Sequence, residues 1–487
     1  MTILHSPEKT MSRLMLVTNH CYAEKNTPLD PLDEAINNNI EIHGGVRFGW
    51  NGKLNQGKRP RHHQAVTTGE AEYHAWDMSP NEYENYYHGY VHQTLWPVFH
   101  NRPDLAVYRR EYFTTYKAYN AEVADEVAKE LCPDDLIWVH DYHHLAVGRM
   151  LKETGFINQC GFFLHQPFPP GDVFRSLPEH EWLLQSMLHY DLIGFQSASD
   201  ANNFISYITR FYRTERLGGS VMKVNGHILS VGVFPCGIAT APLLNWKKNT
   251  HKTDAVIQEY HRRIIISNDV INDISGIYYR LDAMRSFLNT YPQFVRDVSL
   301  LQISDPAHEY PRSSPDLREK LEGFCGQING QYGDFTWYPV NYIHNGLCSR
   351  DVMFALYARA EVAMFTSLCE GMNLGAKEFI LAQNPEDPGV LILSIFSGAS
   401  EQLSDAIVIN PYDAAETAEA LHSALMMPLH ERKRRHHNLL QKVTRQDNHW
   451  WRHAFQAALE ENELPSGMSQ GWRSAASYTV FAPKQLY

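Results

Sequence analysis

The residues best placed for chemistry lie in the segment F-T-S-L-C-E-G-M-N-L-G-A-K-E-F-I-L-A-Q-N at positions 365–384. Its pattern predicts a strand, a tight turn that contains Gly371, and a helix that opens near Met372. The start of such a helix directs backbone N–H groups and the positive end of the helix dipole at one point, which suits a diphosphate. Glu378 follows in the first turns of the helix, where a carboxylate can accept hydrogen bonds from the hydroxyl pair of a ribose.

A site of this kind needs a sheet behind it, and short apolar runs along the chain predict two series of strands. The predicted strands of the first series cover 13–17, 136–139, 160–164, 192–195 and 231–234, and those of the second cover 263–267, 298–303, 362–365, 390–394 and 406–409. Helix-length segments separate these runs, so the pattern indicates an α/β fold with parallel, doubly wound sheets. Ligands of such sheets bind beyond the carboxyl ends of the strands, which predicts a cleft between two facing halves.

The length and composition of the chain fit two globular domains. With 487 residues, of which 44% are hydrophobic, we expect an N-terminal domain over 1–240 and a second domain over 241–447. The segment 448–487 is expected to begin with a helix that crosses back to the first domain.

Charge and cysteine content exclude several classes of protein. A formal net charge of -12 disfavours nucleic acid, whose phosphates would be repelled. Membrane insertion is not expected because no apolar run approaches the ~20 residues of a spanning helix. The N-terminus lacks a basic-then-apolar signal, so we expect a cytoplasmic protein. Seven cysteines without a C-x-x-C pair indicate neither a disulfide framework nor a zinc ribbon.

Several stretches of the sequence together resemble the trehalose-6-phosphate synthase family. They are I-W-V-H-D-Y-H-H-L (137–145), G-F-F-L-H-Q-P-F-P-P (161–170), D-L-I-G-F-Q (191–196), E-G-M-N-L-G-A-K-E-F (370–379), F-S-G-A-S-E (396–401) and N-P-Y-D (410–413). The family consists of retaining, metal-independent glycosyltransferases of the GT-B fold. The resemblance runs in order from about Ser12 to Trp451, and it implies two Rossmann-like domains that face a central cleft.

The resemblance also implies roles for individual residues. Asp141 matches a residue that binds an acceptor hydroxyl, and His165 matches one that contacts the transferred glucose, so both are the predicted catalytic residues. The aromatic wall of the acceptor pocket matches Tyr87, Trp96 and Trp50. The predicted donor-binding residues are Glu370, Gly371, Met372, Asn373, Leu374 and Glu378, with Glu370 standing where the family has aspartate.

The departures from the family all concern anion binding. His20 replaces an arginine that touches phosphate, and the segment 25–34 replaces a glycine-rich loop that covers the donor. Val270 and Ser275 stand where the family has the arginine and lysine that hold the donor diphosphate. His308 aligns with an arginine for the acceptor phosphate, so His20 and His308 are predicted to contact an acceptor that carries no phosphate.

Four arginines are candidates to replace the missing cations. Arg47 stands where the family has an aromatic residue and is predicted to place a cation on the acceptor side. Arg262, Arg263 and Arg280 flank the altered donor strand, although arginines at such positions more often lie on a solvated surface.

The sequence therefore predicts a retaining glycosyltransferase, or a pseudo-glycosyltransferase, that joins a nucleotide-activated sugar or cyclitol to a small polar acceptor. We expect it to serve specialised metabolism and not to make trehalose 6-phosphate. The alternative is a catalytically silent homologue with a regulatory or ligand-binding role. No cofactor is expected, and no metal ion either, because consecutive residues such as His140, Asp141, His143 and His144 at a strand end point in different directions. The sequence leaves a homo-oligomer open.

Overall fold

The computed structural model describes residues 12–21, 31–55, 63–248, 262–304, 315–344 and 348–461. Within these ranges the chain forms two sheets with helices on their faces, which confirms the predicted α/β architecture.

The first sheet runs in the order β3-β4-β2-β1-β5-β6-β7-β10-β9-β8. Its central strands β2, β1, β5, β6, β7 and β10 are parallel, whereas β3, β8 and β9 join at the edges in antiparallel pairs. The strands are β1 (Leu14–His20), β2 (Gly45–Leu54), β3 (His63–Thr68), β4 (Ala71–Met78), β5 (Leu136–His140), β6 (Cys160–Leu164), β7 (Leu192–Phe195), β8 (Thr214–Gly218), β9 (Val221–Val224) and β10 (His227–Val233).

The second sheet runs in the order β13-β12-β11-β14-β15-β16, and its strands pair in parallel. This order matches the Rossmann pattern, with one reversal between β11 and β14. The strands are β11 (Arg263–Asp269), β12 (Val298–Ser304), β13 (Val340–Ile343), β14 (Val362–Phe365), β15 (Val390–Ser394) and β16 (Ile407–Ile409).

Helices connect the strands and cover both sheets. Those up to residue 248 are α1 (Pro31–His43), α2 (Pro80–Glu82), a π-helix (Tyr83–Leu95), α3 (Trp96–Phe99), α4 (Arg110–Glu130), α5 (Val147–Glu153), α6 (Gly171–Phe174), α7 (His180–Met187), α8 (Ala198–Phe211) and α9 (Thr240–Lys248). The later ones are α10 (Ile277–Thr290), α11 (Pro315–Tyr332), α12 (Arg350–Arg359), α13 (Leu374–Ala382), α14 (Ala399–Gln402), α15 (Ala414–Leu425), α16 (Leu429–Arg445) and α17 (Asn448–Glu461).

The last of these helices, α17, lies on the first sheet. Trp451, Phe455 and Leu459 are fully buried in one cluster with residues of β1, β5 and β6. Gly161 and Gly194 leave room for this helix, because an added Cβ would lie 2.7 and 2.8 Å from the ring of Phe455. The chain therefore returns to the first domain after completing the second.

Sequence patterns missed the strands that carry few apolar residues. β8 is largely exposed at the sheet edge, so it has no buried run to detect. β2 is buried from Gly45 to Trp50, but Arg47 lies within it, and a buried arginine breaks the apolar signal. No helix in the described part of the chain is both long and apolar enough to cross a membrane.

Candidate active site

The two sheets reverse their strand order at one point each, and the loop after β14 meets the first domain close to these points. The reversal lies between β1 and β5 in the first sheet and between β11 and β14 in the second. Ligands of doubly wound sheets bind at such switch points. The two sides meet at Gly371, where an added Cβ would lie 2.0 Å from the carbonyl oxygen of His165. Glycine is required there because the two domains touch through their backbones.

An aromatic wall lines the first-domain side of the cleft. The rings of Tyr83 and Tyr87 stack with their centroids 5.7 Å apart, and Trp50 of β2 lies 5.0 Å from Tyr87. A π-helix closes its hydrogen bonds over five residues, so Tyr83, Tyr87 and His92 share one side of it. The structure thus brings together Tyr87 and Trp50 and adds Tyr83, which the sequence did not indicate.

His20 and Trp96, which were also predicted on the acceptor side, take different places. The ring of His20 stacks on Trp50 with a centroid distance of 5.2 Å and so extends the wall. Trp96 packs on His100 at 4.4 Å, and His100 Nε2 lies 3.1 Å from Gln166 Oε1. Trp96 therefore supports the loop that follows β6.

Buried histidines surround the wall without adding positive charge. His92 lies 4.6 Å from the ring of Tyr87, and His143 lies 6.0 Å from His92. Burial lowers the pKa of His92 to about 3 and that of His144 to about 3, and it lowers the pKa of His143 well below its usual value. These three imidazoles are neutral at pH 7, so they can exchange hydrogen bonds with a ligand but cannot neutralise a phosphate. The sequence did not indicate His92, because its position beside Tyr87 depends on the π-helix.

Asp141 sits in a strained backbone conformation at the end of β5. Its φ of 64° and ψ of 166° fall in a region that only glycine adopts without cost, and such strain is concentrated at functional sites. Burial raises the pKa of Asp141 to about 7, although the backbone N–H groups of Tyr142 and His165 stabilise the carboxylate. The carboxyl group is therefore able to accept or donate a proton near neutral pH.

His165 is held by both of its ring nitrogens. Its Nε2 lies 2.9 Å from His140 Nδ1, and its Nδ1 lies 3.4 Å from Gln196 Nε2. The amide oxygen of Gln196 accepts a hydrogen bond from the backbone N–H of Cys236, which orients the amide N–H group toward His165. Nδ1 is then the acceptor and Nε2 carries the proton. Burial lowers the pKa of His165 to about 3, so the ring is neutral.

On the donor side, Glu370 organises the turn that precedes α13. Its carboxylate accepts hydrogen bonds from Ser367 Oγ at 2.8 Å, Ser397 Oγ at 3.1 Å and Asn373 Nδ2 at 3.1 Å. Asn373 also caps the helix, because its Oδ1 accepts a hydrogen bond from the N–H of Ala376 at 2.7 Å. Burial raises the pKa of Glu370. The predicted segment from Glu370 to Leu374 is therefore a rigid helix entrance, with Met372 and Leu374 partly buried.

Glu378 shares an arginine with a carboxylate of the first domain. Arg350 Nη2 lies 2.6 Å from Glu378 Oε1 and 2.5 Å from Glu34 Oε2. Burial raises the pKa of Glu378 to about 7 despite this cation. The sequence did not indicate Arg350 or Glu34. A basic residue in the first turn of a helix, where the dipole disfavours it, was the available signal for Arg350.

The arginines that flank the donor strand do not replace the missing cations. Arg280 is completely buried, and its guanidinium donates to Asp269 Oδ2 at 2.7 Å and to Gln302. Arg262 and Arg263 lie at the amino end of β11, roughly 20 Å from its carboxyl end at ~3.3 Å per residue.

The donor loop itself bonds within the protein. Ser275 Oγ donates to the carbonyl oxygen of Asn272 at 2.9 Å. Ile274 packs into the buried cluster of the first domain. The loop between β11 and α10 thus contacts the first domain.

Arg47 is not exposed to a ligand in this structure. Its side chain is fully buried, forms an ion pair with Asp33 and donates to the carbonyl oxygen of His20 at 2.9 Å. The predicted free cation on the acceptor side is therefore a buried support beneath His20. His308 lies outside the described residues. In the described ranges, no group of three or more His, Cys, Asp or Glu residues is arranged to hold a metal ion.

Comparison with known proteins identifies a consistent set of relatives. The model of glycosyltransferase family 20 matches residues 10–461. The trehalose-6-phosphate synthase of Klebsiella pneumoniae is 34% identical over 455 residues, which cover 92% of this chain and 95% of the relative.

Solved structures give the same result. An α,α-trehalose-phosphate synthase from Burkholderia xenovorans, in complex with glucose-6-phosphate, superposes with a TM-score of 0.86 at 33% identity, covering 92% of this chain and 100% of the other. An E. coli structure bound with UDP-2-fluoro glucose superposes with a TM-score of 0.84 at 31% identity, covering 93% of this chain and 99% of the other. The similarity confirms the GT-B fold.

Proposed function

This chain belongs to glycosyltransferase family 20, and we propose that it transfers a nucleotide-activated sugar or cyclitol, with retention, to a small polar acceptor that carries no phosphate. The chain is a glycosyltransferase. We expect this transfer to serve specialised metabolism.

One observation supports this proposal above the others. Groups that bind hydroxyls remain at both switch points, whereas groups that bind phosphate are replaced. Asp141 with its aromatic wall stands on one side and Glu378 with the start of α13 on the other. By the resemblance described above, Val270, Ser275 and His20 stand where the family has cations.

In the proposed mechanism, the donor nucleotide binds to the second domain. Glu378 accepts hydrogen bonds from the ribose hydroxyls, and the start of α13 directs its N–H groups at the diphosphate. The loss of two cations, at ~1.5–3 kcal/mol for each charged hydrogen bond, weakens ground-state binding of the diphosphate by roughly 10²–10⁴-fold. The cost to the transition state is larger, because the diphosphate gains charge as it leaves.

The acceptor is oriented by the first domain. Asp141 accepts a hydrogen bond from the reacting hydroxyl, while Tyr87 and Trp50 pack on the ring of the acceptor. The bond between the anomeric carbon and the diphosphate oxygen breaks, the acceptor oxygen bonds to the same face of that carbon, and its proton passes to the departing diphosphate oxygen. An amine acceptor would follow the same steps, as in a pseudo-glycosyltransferase. His165 borders the transferred sugar.

An uncharged acceptor fits the electrostatics of the pocket. His92, His143 and His144 are neutral at pH 7, and Arg47 is neutralised by Asp33. A phosphate dianion would lie near the carboxyl group of Asp141 without a compensating cation, which is unfavourable. We therefore expect no useful formation of trehalose 6-phosphate from glucose 6-phosphate.

Calorimetric titration and product assays test the proposal. UDP, GDP, ADP and their glucose esters are titrated first, and turnover is then measured with glucose 6-phosphate and with phosphate-free polyols and aminocyclitols. Nucleotide binding and transfer to a phosphate-free acceptor are expected. Turnover of glucose 6-phosphate near the ~10 s⁻¹ median of enzymes would overturn the acceptor proposal, and the absence of nucleotide binding would overturn the donor proposal.

A variant at Glu378 tests the donor site directly. Glu378→Ala is expected to weaken the bound nucleotide by ~1.5–3 kcal/mol, the value of a charged hydrogen bond. Glu419→Ala, on the exposed face of α15, is the matched control and should leave affinity unchanged. Equal nucleotide affinity in the two variants would mean that the nucleotide does not bind at α13.

The second candidate function is a regulatory or ligand-binding role, in which the chain is a catalytically silent homologue of the synthases. The packing of Ile274 into the first-domain cluster favours it, since the donor loop already has a structural partner. Nucleotide binding without turnover on any acceptor would support this function over transfer.

A further inference from the structure

The ion-pair group of Arg350, Glu34 and Glu378 joins the two domains at the donor site. Arg350 Nη2 lies within 2.6 Å of Glu378 Oε1 and 2.5 Å of Glu34 Oε2. Glu378 and Arg350 belong to α13 and α12 of the second domain, whereas Glu34 belongs to α1 of the first. The side chain of Arg350 is 28% exposed and that of Glu378 is 8% exposed, so the contact lies at the edge of the cleft.

Arg350 occupies a position that is unfavourable for a cation unless carboxylates lie beside it. Arg350 is the first residue of α12, and Ser349 caps this helix by accepting a hydrogen bond from the N–H of Val352. A cation is disfavoured at the positive end of a helix, and two carboxylates offset that cost. The guanidinium also packs over the ring of Phe354 at 5.2 Å, which limits its movement.

Glu34 is fixed to the first domain by the rest of α1. Asn39 Nδ2 donates to the carbonyl oxygen of Asn448 at 3.0 Å, and Arg452 donates to the carbonyl oxygen of Asn39 at 2.7 Å. The neighbouring Asp33 holds Arg47 beneath the acceptor wall. The reach of Glu34 to Arg350 therefore depends on the relative position of the two domains.

The guanidinium keeps one buried N–H group that neither carboxylate uses. Arg350 Nε has no hydrogen-bond partner among the residues that the structure describes. The two carboxylates together carry one more charge than the arginine neutralises when both are ionised. Removing Arg350 would leave two carboxylates facing each other, which like-charge repulsion and burial both oppose.

We propose that Arg350 is a positioning residue that aims Glu378 at the donor ribose, and that Glu34 completes this arrangement only when the two domains are closed. The inference rests on the proposed binding of a nucleotide at Glu378. Arg350 acts through Glu378, so its effect depends on the ribose hydroxyls of the ligand. Glu34 acts through Arg350, so its effect depends on the arginine.

Calorimetric titration with whichever of UDP, GDP or ADP binds, and with its 2′,3′-dideoxy analogue, tests the inference. Arg350→Ala is expected to weaken the ribonucleotide about 10-fold, at the low end of one charged hydrogen bond, and to leave the dideoxy analogue unchanged. Arg350→Lys should recover part of the loss because it keeps the charge. Asp351→Asn, an exposed neighbour on the same helix, is the matched control and should bind like the unaltered protein.

A double-mutant cycle isolates the contact between the domains. Glu34→Gln is expected to weaken the ribonucleotide a few-fold in the unaltered protein and to have no further effect in the Arg350→Ala background. Glu41→Gln, on the exposed side of α1, controls for charge. Melting curves exclude unfolded variants, and if Arg350→Ala does not fold, Arg350→Lys takes its place in the cycle.

The outcomes separate the two proposals. If the unaltered protein binds none of the nucleotides, the donor proposal fails and this inference fails with it. Alternatively, the protein binds a nucleotide, while the Arg350 variants lose the same affinity for the ribonucleotide as for its dideoxy analogue. The arginine is then structural, and this inference alone is overturned. Additive effects of Glu34→Gln and Arg350→Ala would overturn the part assigned to Glu34.

Discussion

The side of the cleft predicted to bind the acceptor and the side predicted to bind the donor differ in how they hold the residues that stand where the family has cations. On the acceptor side the ring of His20 stacks on Trp50 of the aromatic wall. On the donor side Ser275 bonds to its own loop, and Ile274 packs into the first domain. We propose that the first arrangement determines which acceptor fits, and that the second, a contact between the domains, determines how tightly the donor is held.

Restoring the donor cations should produce the largest effect. Val270→Arg together with Ser275→Lys is expected to raise affinity for a nucleoside diphosphate about 100-fold, since two charged hydrogen bonds converge on one ligand. The single variants should each gain less than half of this in free energy, because neighbouring sites are not additive.

The measurement is a double-mutant cycle on dissociation constants, after melting curves have excluded unfolded variants. Equal affinities in the parent, both single variants and the double variant would mean that the carboxyl end of β11 does not face the diphosphate.

A substitution at the contact between the two sides should come next. Gly371→Ala places a Cβ 2.0 Å from the carbonyl oxygen of His165, so either the domains separate or the backbone shifts, at a cost of about 2 kcal/mol. Gly323→Ala is the matched control. It has no atom within 4 Å of the added Cβ and lies inside α11, where alanine should stabilise by ~0.5–1 kcal/mol. Equal free energies of unfolding for the two variants, measured with denaturant, would contradict the close contact at Gly371.

Restoring the acceptor cation should have a smaller effect. His20→Arg is expected to improve binding of glucose 6-phosphate about 10-fold and to leave glucose unaffected, because the new charge acts on the phosphate alone. His227→Arg, an exposed position at the start of β10, is the control for added charge. If both variants improve binding equally, the gain is non-specific and the pocket of His20 is not the phosphate position.

The pH dependence of the donor site should be the smallest of the four effects. Burial raises the pKa of Glu378 to about 7, so lowering the pH protonates the carboxylate that we propose accepts hydrogen bonds from the ribose hydroxyls. Between pH 8 and pH 6.5 the ionised fraction of such a group falls about fourfold, and nucleotide affinity should fall with it. Glu378→Gln should remove this part of the dependence, and an identical pH profile in the variant would assign it to the nucleotide phosphates.

The inner strands of the second sheet, β11, β12, β14 and β15, were predictable because most of their residues are buried. Parallel strands of this kind are continuous apolar runs, and the predicted bounds of β14 and β15 agree with the structure. The edge strand β13 was missed because three of its four residues are only partly buried. β2 and β4 were missed because polar residues such as Arg47, His74 and Asp77 interrupt their buried runs. β3 and β8 were missed because exposure removes the pattern.

Residues of the candidate site also differ in whether the sequence could predict them. Asp141, Tyr87 and Glu378 could be predicted because each belongs to a local motif that carries the family resemblance. The pairing of Arg350 with Glu34 could not be predicted, because a partner from the other domain leaves no trace in local spacing; the one local signal was a cation in the first turn of a helix. His92 depends on a π-helix, whose turn differs from the pattern that a sequence normally suggests.

The packing of Phe455 against Gly161 and Gly194 also has a consequence for synthesis of the protein. Nascent chains generally fold domain by domain from the N-terminus, but the first domain lacks part of its core until residue 455 has left the ribosome. The second domain is then already complete, so it is expected to fold first. A chain truncated after residue 447 should leave the sheet surface around Trp138 exposed and should aggregate, whereas residues 1–240 supplied with α17 through a short linker should recover solubility.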